Sequence, residues 1–255
     1  MSILTLLLLF ALGCLIGGLG GLFGIGGGLF AIPVLGLAFG MDQQLAQGTA
    51  IVMVVPNVLQ GLWRNYRLGN LNPKKALILA ASAVLFTYLA ALVALSLNPA
   101  TLRLAFALFV VVIALHFLIR TLTQQSTSSG IAKLKQKWLA LVGAIGGGIS
   151  GLFGIGGAVF APPLLTGVFG MRQAVAQAHA LALVAPGTLV ALTAYASHDE
   201  VNWHYGIPLA IGGALTVSWG VRLANRMPEK MLRLLFCGLL LITAVGMIAS
   251  LGLGN

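Results

Sequence analysis

The chain has 255 residues, of which 59% are hydrophobic and only 7% charged, whereas a soluble domain carries about 25% charged residues to wet its surface. So few charges exclude a water-exposed globule, and the solvent of this chain is lipid. The net charge of +10 would point to nucleic acid in a soluble protein. Here the basic residues fall in loops between apolar runs and read as topology determinants, so no nucleic acid is expected.

In chain order, Ile3 to Leu22 is a run of 20 residues without a charge, about 30 Å of helix at 1.5 Å per residue. It lacks the basic start of a signal peptide, and no polar mature domain follows, so it reads as a first span. The apolar runs Leu45–Trp63, Ala76–Leu97 and Leu104–Ile119 come next. A hydrophilic break, residues 120–137, contains Gln124-Gln125-Ser126-Thr127-Ser128-Ser129-Gly130 and reads as a flexible linker. Beyond it lie Trp138–Phe169, Val175–Ser197, Tyr205–Val221 and Leu234–Leu253. Cys14 and Cys237 sit inside apolar runs and read as small hydrophobes rather than disulfide partners or metal ligands.

The chain matches itself at an offset of 130. Gly21-Leu22-Phe23-Gly24-Ile25-Gly26-Gly27 recurs unchanged as Gly151-Leu152-Phe153-Gly154-Ile155-Gly156-Gly157, and Phe39-Gly40-Met41 recurs as Phe169-Gly170-Met171. The register persists through Gln47 and Gln177, Pro56 and Pro186, and Asn72 and Asn202. A run of matches in one register marks a fused duplication. Residues 1–119 are the expected first membrane repeat, 120–137 a cytoplasmic linker and 138–255 the second repeat.

Lysines and arginines decide how the halves face. If each Gly-rich segment crossed the membrane once, eight basic residues would lie on one side and six on the other. If it turned back at its glycines, thirteen would share one face, leaving Arg103 alone on the other with Asp42, Asp199 and Glu200. A strong bias is what cytoplasmic loops carry. The expected fold is therefore an all-α polytopic membrane protein with an inverted-topology repeat. Each half is a Gly-rich helical hairpin followed by three transmembrane helices, and both termini lie outside. Inverted repeats suit a transporter, because exchanging the conformations of equivalent halves exchanges the open side.

Gly13, Gly17 and Gly21, like Gly143, Gly147 and Gly151, stand four apart, the spacing that lets helices approach closely in lipid. The clusters that follow are different. Four glycines in five residues weaken a helix by about 1 kcal/mol each relative to alanine. A break there bares backbone amides, and a helix restarting near Gly28 or Ala158 offers its positive end to an anion. Gly24, Gly26, Gly27, Gly28, Gly154, Gly156 and Gly157 are accordingly candidate substrate-binding backbone.

The four carboxylates, Asp42, Asp199, Glu200 and Glu229, all map to loops. A cation carrier generally keeps an acid within the membrane, so an anionic cargo is favoured. Enzymes that need carboxylates or a His cluster are disfavoured, and no cofactor or metal is expected. The intramembrane polar residues complete the candidate site: Gln47, Thr49 and Asn57 in the first half, Gln177, His179 and Thr188 in the second. Pro56 and Pro186 are candidate hinges. Thr49 and His179 are repeat partners expected to face one another at similar depth. His179 is a candidate for anion contact or proton coupling, with interhelical hydrogen bonding as the competing role. Trp63, Trp138, Trp203, Tyr66 and Tyr205 sit at predicted span ends and read as an aromatic belt.

The duplicated Gly-Leu-Phe-Gly-Ile-Gly-Gly block, followed by Pro33 and by Pro162-Pro163, resembles the TauE/SafE sulfite-exporter family, also called the toluene-sulfonate uptake permease family. The similarity spans nearly the whole chain. It implies a prokaryotic inner-membrane carrier of sulfite, sulfoacetate or related sulfonates. Gln47-Gly48-Thr49-Ala50 looks like the family's small-Gly-Thr pattern. Gln177-Ala178-His179-Ala180 departs from it by placing histidine where threonine is usual. The expected partners are a small anionic substrate and the lipid bilayer, and a homodimer is a compatible assembly.

Overall fold

Helix α1 (Ile3–Phe23) ends where Gly24 turns left-handed, at φ +71°, and Gly26 and Gly27 follow at +75° and +94°. Three such residues cannot continue a right-handed helix, and only glycine takes them without strain. Helix α2 (Gly28–Phe39) then restarts from Gly27. The computed structural model describes residues 3–122, 138–155, 157, 159–224 and 226–252, and every regular element among them is helical. The remaining helices are α3 (Gln43–Arg67), α4 (Pro73–Ser96), α5 (Pro99–Leu122), α6 (Leu139–Phe153), α7 (Ala161–Gly167), α8 (Gln173–Ala196), α9 (Trp203–Ala224) and α10 (Glu229–Gly252).

Among the described residues, six helices are long and apolar enough to cross a membrane: α1, α3, α4, α5, α8 and α9. The lipid-facing character predicted from composition is visible in α1, where Ile3, Leu4 and Leu7 are exposed. Trp63, Trp138, Trp203 and Tyr66 are exposed at helix ends, whereas Tyr205 packs edge-on to Phe39 with ring centroids 5.4 Å apart.

That contact shows the chain doubling back. Gly21, near the end of α1, lies against Val217 of α9, while Phe39, at the end of α2, reaches Tyr205, twelve residues earlier on α9. The second Gly-rich segment is more broken. Helix α6 has 15 residues and α7 only 7, and α7 begins at Ala161 rather than near Ala158. Pro162 and Pro163 lack N–H groups and are tolerated in a first turn but not in a helix interior.

The spaced glycines sit where helices touch. A Cβ on Gly13, Gly17 or Gly21 would collide with the α9 backbone at Leu209, Gly213 or Val217, and one on Gly143, Gly147 or Gly151 would meet α4 at Leu79, Ala83 or Thr87. Residue numbers rise together in both series, so α1 runs parallel to α9 and α6 parallel to α4. These two pairs are equivalent at the 130 offset, and each joins the N-terminal helix of one half to a helix of the other. The threonine hydroxyls lock both pairs, Thr216 donating to the carbonyl of Cys14 and Thr87 to that of Gly147 at 3.0 Å.

Helices α3 and α8, also equivalent at that offset, cross antiparallel. Tyr195 meets Gln47, and Gly61 meets Leu181, which sets the crossing near Pro56 and Pro186. Both helices continue through their prolines. Polar residues gather at the two ends of this bundle. At one, Arg103 donates to the Met41 carbonyl at 3.3 Å. Burial there pushes the Glu200 carboxyl above its usual range, with neighbouring Asp42 adding to the effect and His198 opposing it. Arg64, Arg67, Lys74 and Lys75 cluster at the opposite end, where Arg67 lies 4.1 Å over the Trp63 ring. The two are called here the acidic and the basic end.

Adjacent glycines on α6 separate packing from propensity. Gly147 has the Ala83 Cα 2.7 Å from where its Cβ would stand, whereas Gly148 has open space. Gly147→Ala should lose about 1–3 kcal/mol through overpacking, and Gly148→Ala should hold or gain up to about 1 kcal/mol. Thermal melting of the two purified variants in detergent checks this.

Candidate functional site

The two glycine breaks meet in the middle of the bundle. A Cβ built on Gly28 would stand 3.3 Å from the Gly154 carbonyl oxygen and 3.4 Å from the Ile155 Cα. Each break also faces the long polar helix of the other half. Gly154, at φ +67°, lies against Gln47 and Ile51 of α3, and a Cβ on Gly24 would be 3.9 Å from Gln177 Nε2 of α8. Gly28 and Gly154 therefore adjoin, while each predicted glutamine lies beside the glycine break of the other half, Gln47 towards one end of the bundle and Gln177 towards the other.

The first break is held by side chains from α3. Gly26 packs against Val54 and Val58 and Gly27 against Met53, while Asn57 Nδ2 donates to the Gly26 carbonyl at 3.0 Å. No side chain caps the N-terminus of α2, so its first-turn N–H groups end in the junction with a positive dipole behind them. Gly157 has a different role. A Cβ there would run into the Gly146 backbone at 2.6 Å, which makes it a packing residue of the second hairpin. Gly156 lies outside the described residues.

Gln47 is fully buried. Its Oε1 accepts a 2.6 Å hydrogen bond from the Tyr195 hydroxyl, which also lies 3.3 Å from the Gly151 carbonyl. This bond orients the amide, and Nε2 is left without a hydrogen-bond partner. Asn57 Oδ1 and Ser150 Oγ are likewise buried and unpartnered. A buried donor without an acceptor carries a desolvation penalty of about 1–3 kcal/mol. Natural proteins leave such groups chiefly where an ion, water or ligand completes them. Gln177 is exposed.

Thr49 and His179 do not face one another. The Asn202 N–H donates to Thr49 Oγ1 at 3.0 Å, and the Asn72 N–H donates to His179 Nε2 at 3.3 Å. Asn72 and Asn202 are themselves repeat partners, so the two bonds are reciprocal. Because α3 and α8 cross antiparallel near their prolines, residues seven positions before each proline diverge by about 20 Å along the bundle. Thr49 ends at the acidic end and His179 at the basic one. His179 Nδ1 lies 2.7 Å from the Val175 carbonyl, an arrangement in which Nδ1 donates and Nε2 accepts. Histidine thus supplies the same acceptor that threonine supplies in the other half. Thr188 turns its hydroxyl to its own helix, at the Ala185 carbonyl 3.0 Å away, and contributes nothing to the junction. Among the described residues, no cluster of three metal-ligating side chains occurs.

Tyr195, which holds the Gln47 amide, is not among the residues singled out from the sequence. Two features pointed to it: it is a phenol within the apolar run Val175–Ser197, and its repeat partner is the polar Asn65.

Long apolar helices enclosing a buried junction of broken ones define a multi-pass helical membrane protein built like a transporter. The family profile described as Sulfite exporter TauE/SafE matches residues 9–247, and the chain belongs to that family. It is 28% identical over 93% of each chain to a probable membrane transporter protein of Methanocaldococcus jannaschii. A probable membrane transporter protein of Xylella fastidiosa is 29% identical over 89% of this chain and 87% of its own. One from Bacillus subtilis is 25% identical over 90% and 93%. No solved structure is significantly similar.

His179→Thr should preserve the melting temperature, because threonine does the same work at position 49. His179→Leu should lower stability by about 1 kcal/mol, the worth of one buried hydrogen bond. Melting curves of the two variants side by side check this.

Proposed function

We propose that the chain is a secondary carrier that moves a small sulfur oxyanion, such as sulfite, sulfoacetate or another organosulfonate, by alternating access. The observation that carries this reading is the buried, unpartnered Nε2 of Gln47, a residue whose Cβ lies against Gly154 where the two glycine breaks adjoin. An oxyanion there would accept from Gln47 and from first-turn amides of α2, without a charged side chain. Neutral donors suit a carrier, since they hold an anion without the strong binding that a buried arginine would bring. No carboxylate lies within the six candidate spans, which fits an anion better than a cation. The family name adds the sulfur oxyanion class, and neither this nor the helix geometry gives an enzyme a role.

Alternating access is supported by the antiparallel crossing of α3 and α8 and by the exchanged pairs α1 with α9 and α4 with α6. These relations are what an inverted-topology repeat requires. Pro56 and Pro186 at the crossing are the natural bending points. The basic end is assigned to the cytoplasm of a prokaryotic inner membrane by the excess of Lys and Arg, which leaves both termini outside and residues 120–137 as a cytoplasmic linker. The anion and the bilayer are the proposed partners, and a homodimer is compatible with the fold.

The test is a thermal-shift screen in detergent against sulfite, sulfate, thiosulfate, sulfoacetate, taurine and a carboxylate panel, followed by flux in proteoliposomes. A sulfur oxyanion at about 100 times its Kd should add about 2.7 kcal/mol of apparent stability. Gln47→Leu should abolish that gain. Stabilisation by carboxylates alone would move the cargo to another class, and absence of any anion flux under every gradient would sink the carrier reading.

A further inference from the structure

The two ends of the α3–α8 pair are not in the same state. At the acidic end, Gln47 is buried under Tyr195, and the turn after α8 presses on α3 so closely that a Cβ on Gly48 would collide with the Glu200 carbonyl oxygen. At the basic end the counterpart of the Tyr195–Gln47 bond is absent among the described residues, although Asn72 still caps His179 there. Gln177 is exposed, and Asn65, the partner of Tyr195 in the repeat, donates to the Gly61 carbonyl of its own helix at 3.0 Å. Three further equivalent pairs agree in sense. Phe153, Gly154 and Ala191 are buried, whereas Phe23, Gly24 and Gly61 are part-exposed.

We propose that Tyr195 is the latch of a gate at the acidic end, that the structure is the state open at the basic end, and that transport trades the Tyr195–Gln47 bond for closure of the segment around Asn65 over Gln177. This inference rests on the alternating-access reading. In the opposite state α8 would stand to the Asn65 turn as α3 now stands to the Tyr195 turn. The exchange is unequal by composition. Asparagine is too short to place its amide where the phenol hydroxyl reaches. Ala178 carries a methyl where Gly48 leaves room for a carbonyl. The acidic-end gate therefore closes more tightly than its counterpart, and the resting carrier favours opening at the basic end.

Closure also readies the site. With Tyr195 holding Oε1, the Gln47 amide can present only its N–H groups to the junction, so the closed gate fixes the polarity that an anion needs. Opening the gate frees Gln47 to rotate and weakens that donor set on the side where it faces solution.

Thiol labelling tests the exchange. In a background carrying Cys14→Ala and Cys237→Ala, Ala191→Cys and Gly61→Cys are reporters at repeat-equivalent positions, labelled with a hydrophilic maleimide in vesicles permeabilised so that both faces meet the reagent. Gly61→Cys should react faster than Ala191→Cys. Adding Tyr195→Phe, which keeps the ring and removes only the hydroxyl, should raise the rate at Ala191→Cys and lower it at Gly61→Cys. The ratio should move by about fivefold, the equilibrium change of one buried hydrogen bond. Gln47→Leu, which takes the acceptor from the other side of the same bond, should move it likewise if the first variant proves unstable. Unchanged rates overturn the latch, and a rise at both reporters means general loosening and overturns it too. Flux of a sulfur oxyanion through the unsubstituted protein separates the two failures. Flux with unmoved labelling rejects the gate alone, and no flux rejects the carrier.

Discussion

Irregular backbone at membrane depth must be surrounded by protein, because lipid cannot hydrogen-bond to a bare amide or carbonyl. The rest of this fold follows from that requirement. The turn at Gly24–Gly27 is sheltered by Met53, Val54 and Val58 on α3 and by Ile16 on α1. Its Gly26 carbonyl is satisfied by Asn57. The same absence of side chains that breaks the helix also lets the walls close in, since a Cβ on Gly27 would stand 2.9 Å from Met53 and 3.1 Å from the Ile16 carbonyl. Neither hairpin could be placed against lipid. Both must be driven between the two long polar helices, which is why their tips meet.

Burying both tips at one crossing ties the halves together. Each half lends an N-terminal helix to the other through backbone contact at its glycines, the close approach that replaces the hydrophobic effect inside a bilayer. Each half also caps the other, Asn202 on Thr49 and Asn72 on His179. A single repeat would leave its glycine ridge, its hairpin tip and its loop amide without partners. The duplicated chain is thus a dimer in its physics, made covalent by residues 120–137.

Much of this was legible in the sequence. Composition and run length announced a lipid-solvated helical bundle, and the 130-residue register located the equivalent elements. The charge count favoured hairpins over single crossings, and the bundle indeed gathers Asp42 and Glu200 beside Arg103. That Gly154 should lie against Gln47 and Gly24 against Gln177 is consistent with their residue types, since glycine breaks and membrane-buried amides each need partners. The relative depth of Thr49 and His179 is not legible in the repeat, because equivalence at the 130 offset does not mean proximity. Antiparallel helices bring equivalent residues together only at the crossing, near Pro56 and Pro186, and separate them in proportion to their distance from it. Tyr195 was missed because its importance lies in a contact 148 residues away along the chain, which no local pattern encodes.

The positions where the halves agree and differ sort by physical cause. Four pairs of glycines that touch backbone are the same in both halves, at 13 and 143, 17 and 147, 21 and 151, and 27 and 157, because a Cβ there would meet its neighbour. Acceptors that cap a loop amide differ in identity but keep their chemistry, as with Thr49 and His179. Three pairs that differ along α3 and α8 are Asn57 against Gly187, Gly48 against Ala178, and Asn65 against Tyr195. Two identical halves would make the two open states equal in energy. On the proposed alternating-access reading, differences such as these would remove that equality while the shared glycines and the reciprocal caps hold the frame. On that reading a duplicated carrier would acquire a preferred resting side by changing the polar side chains at its proposed gates and leaving the shared glycines that hold it together.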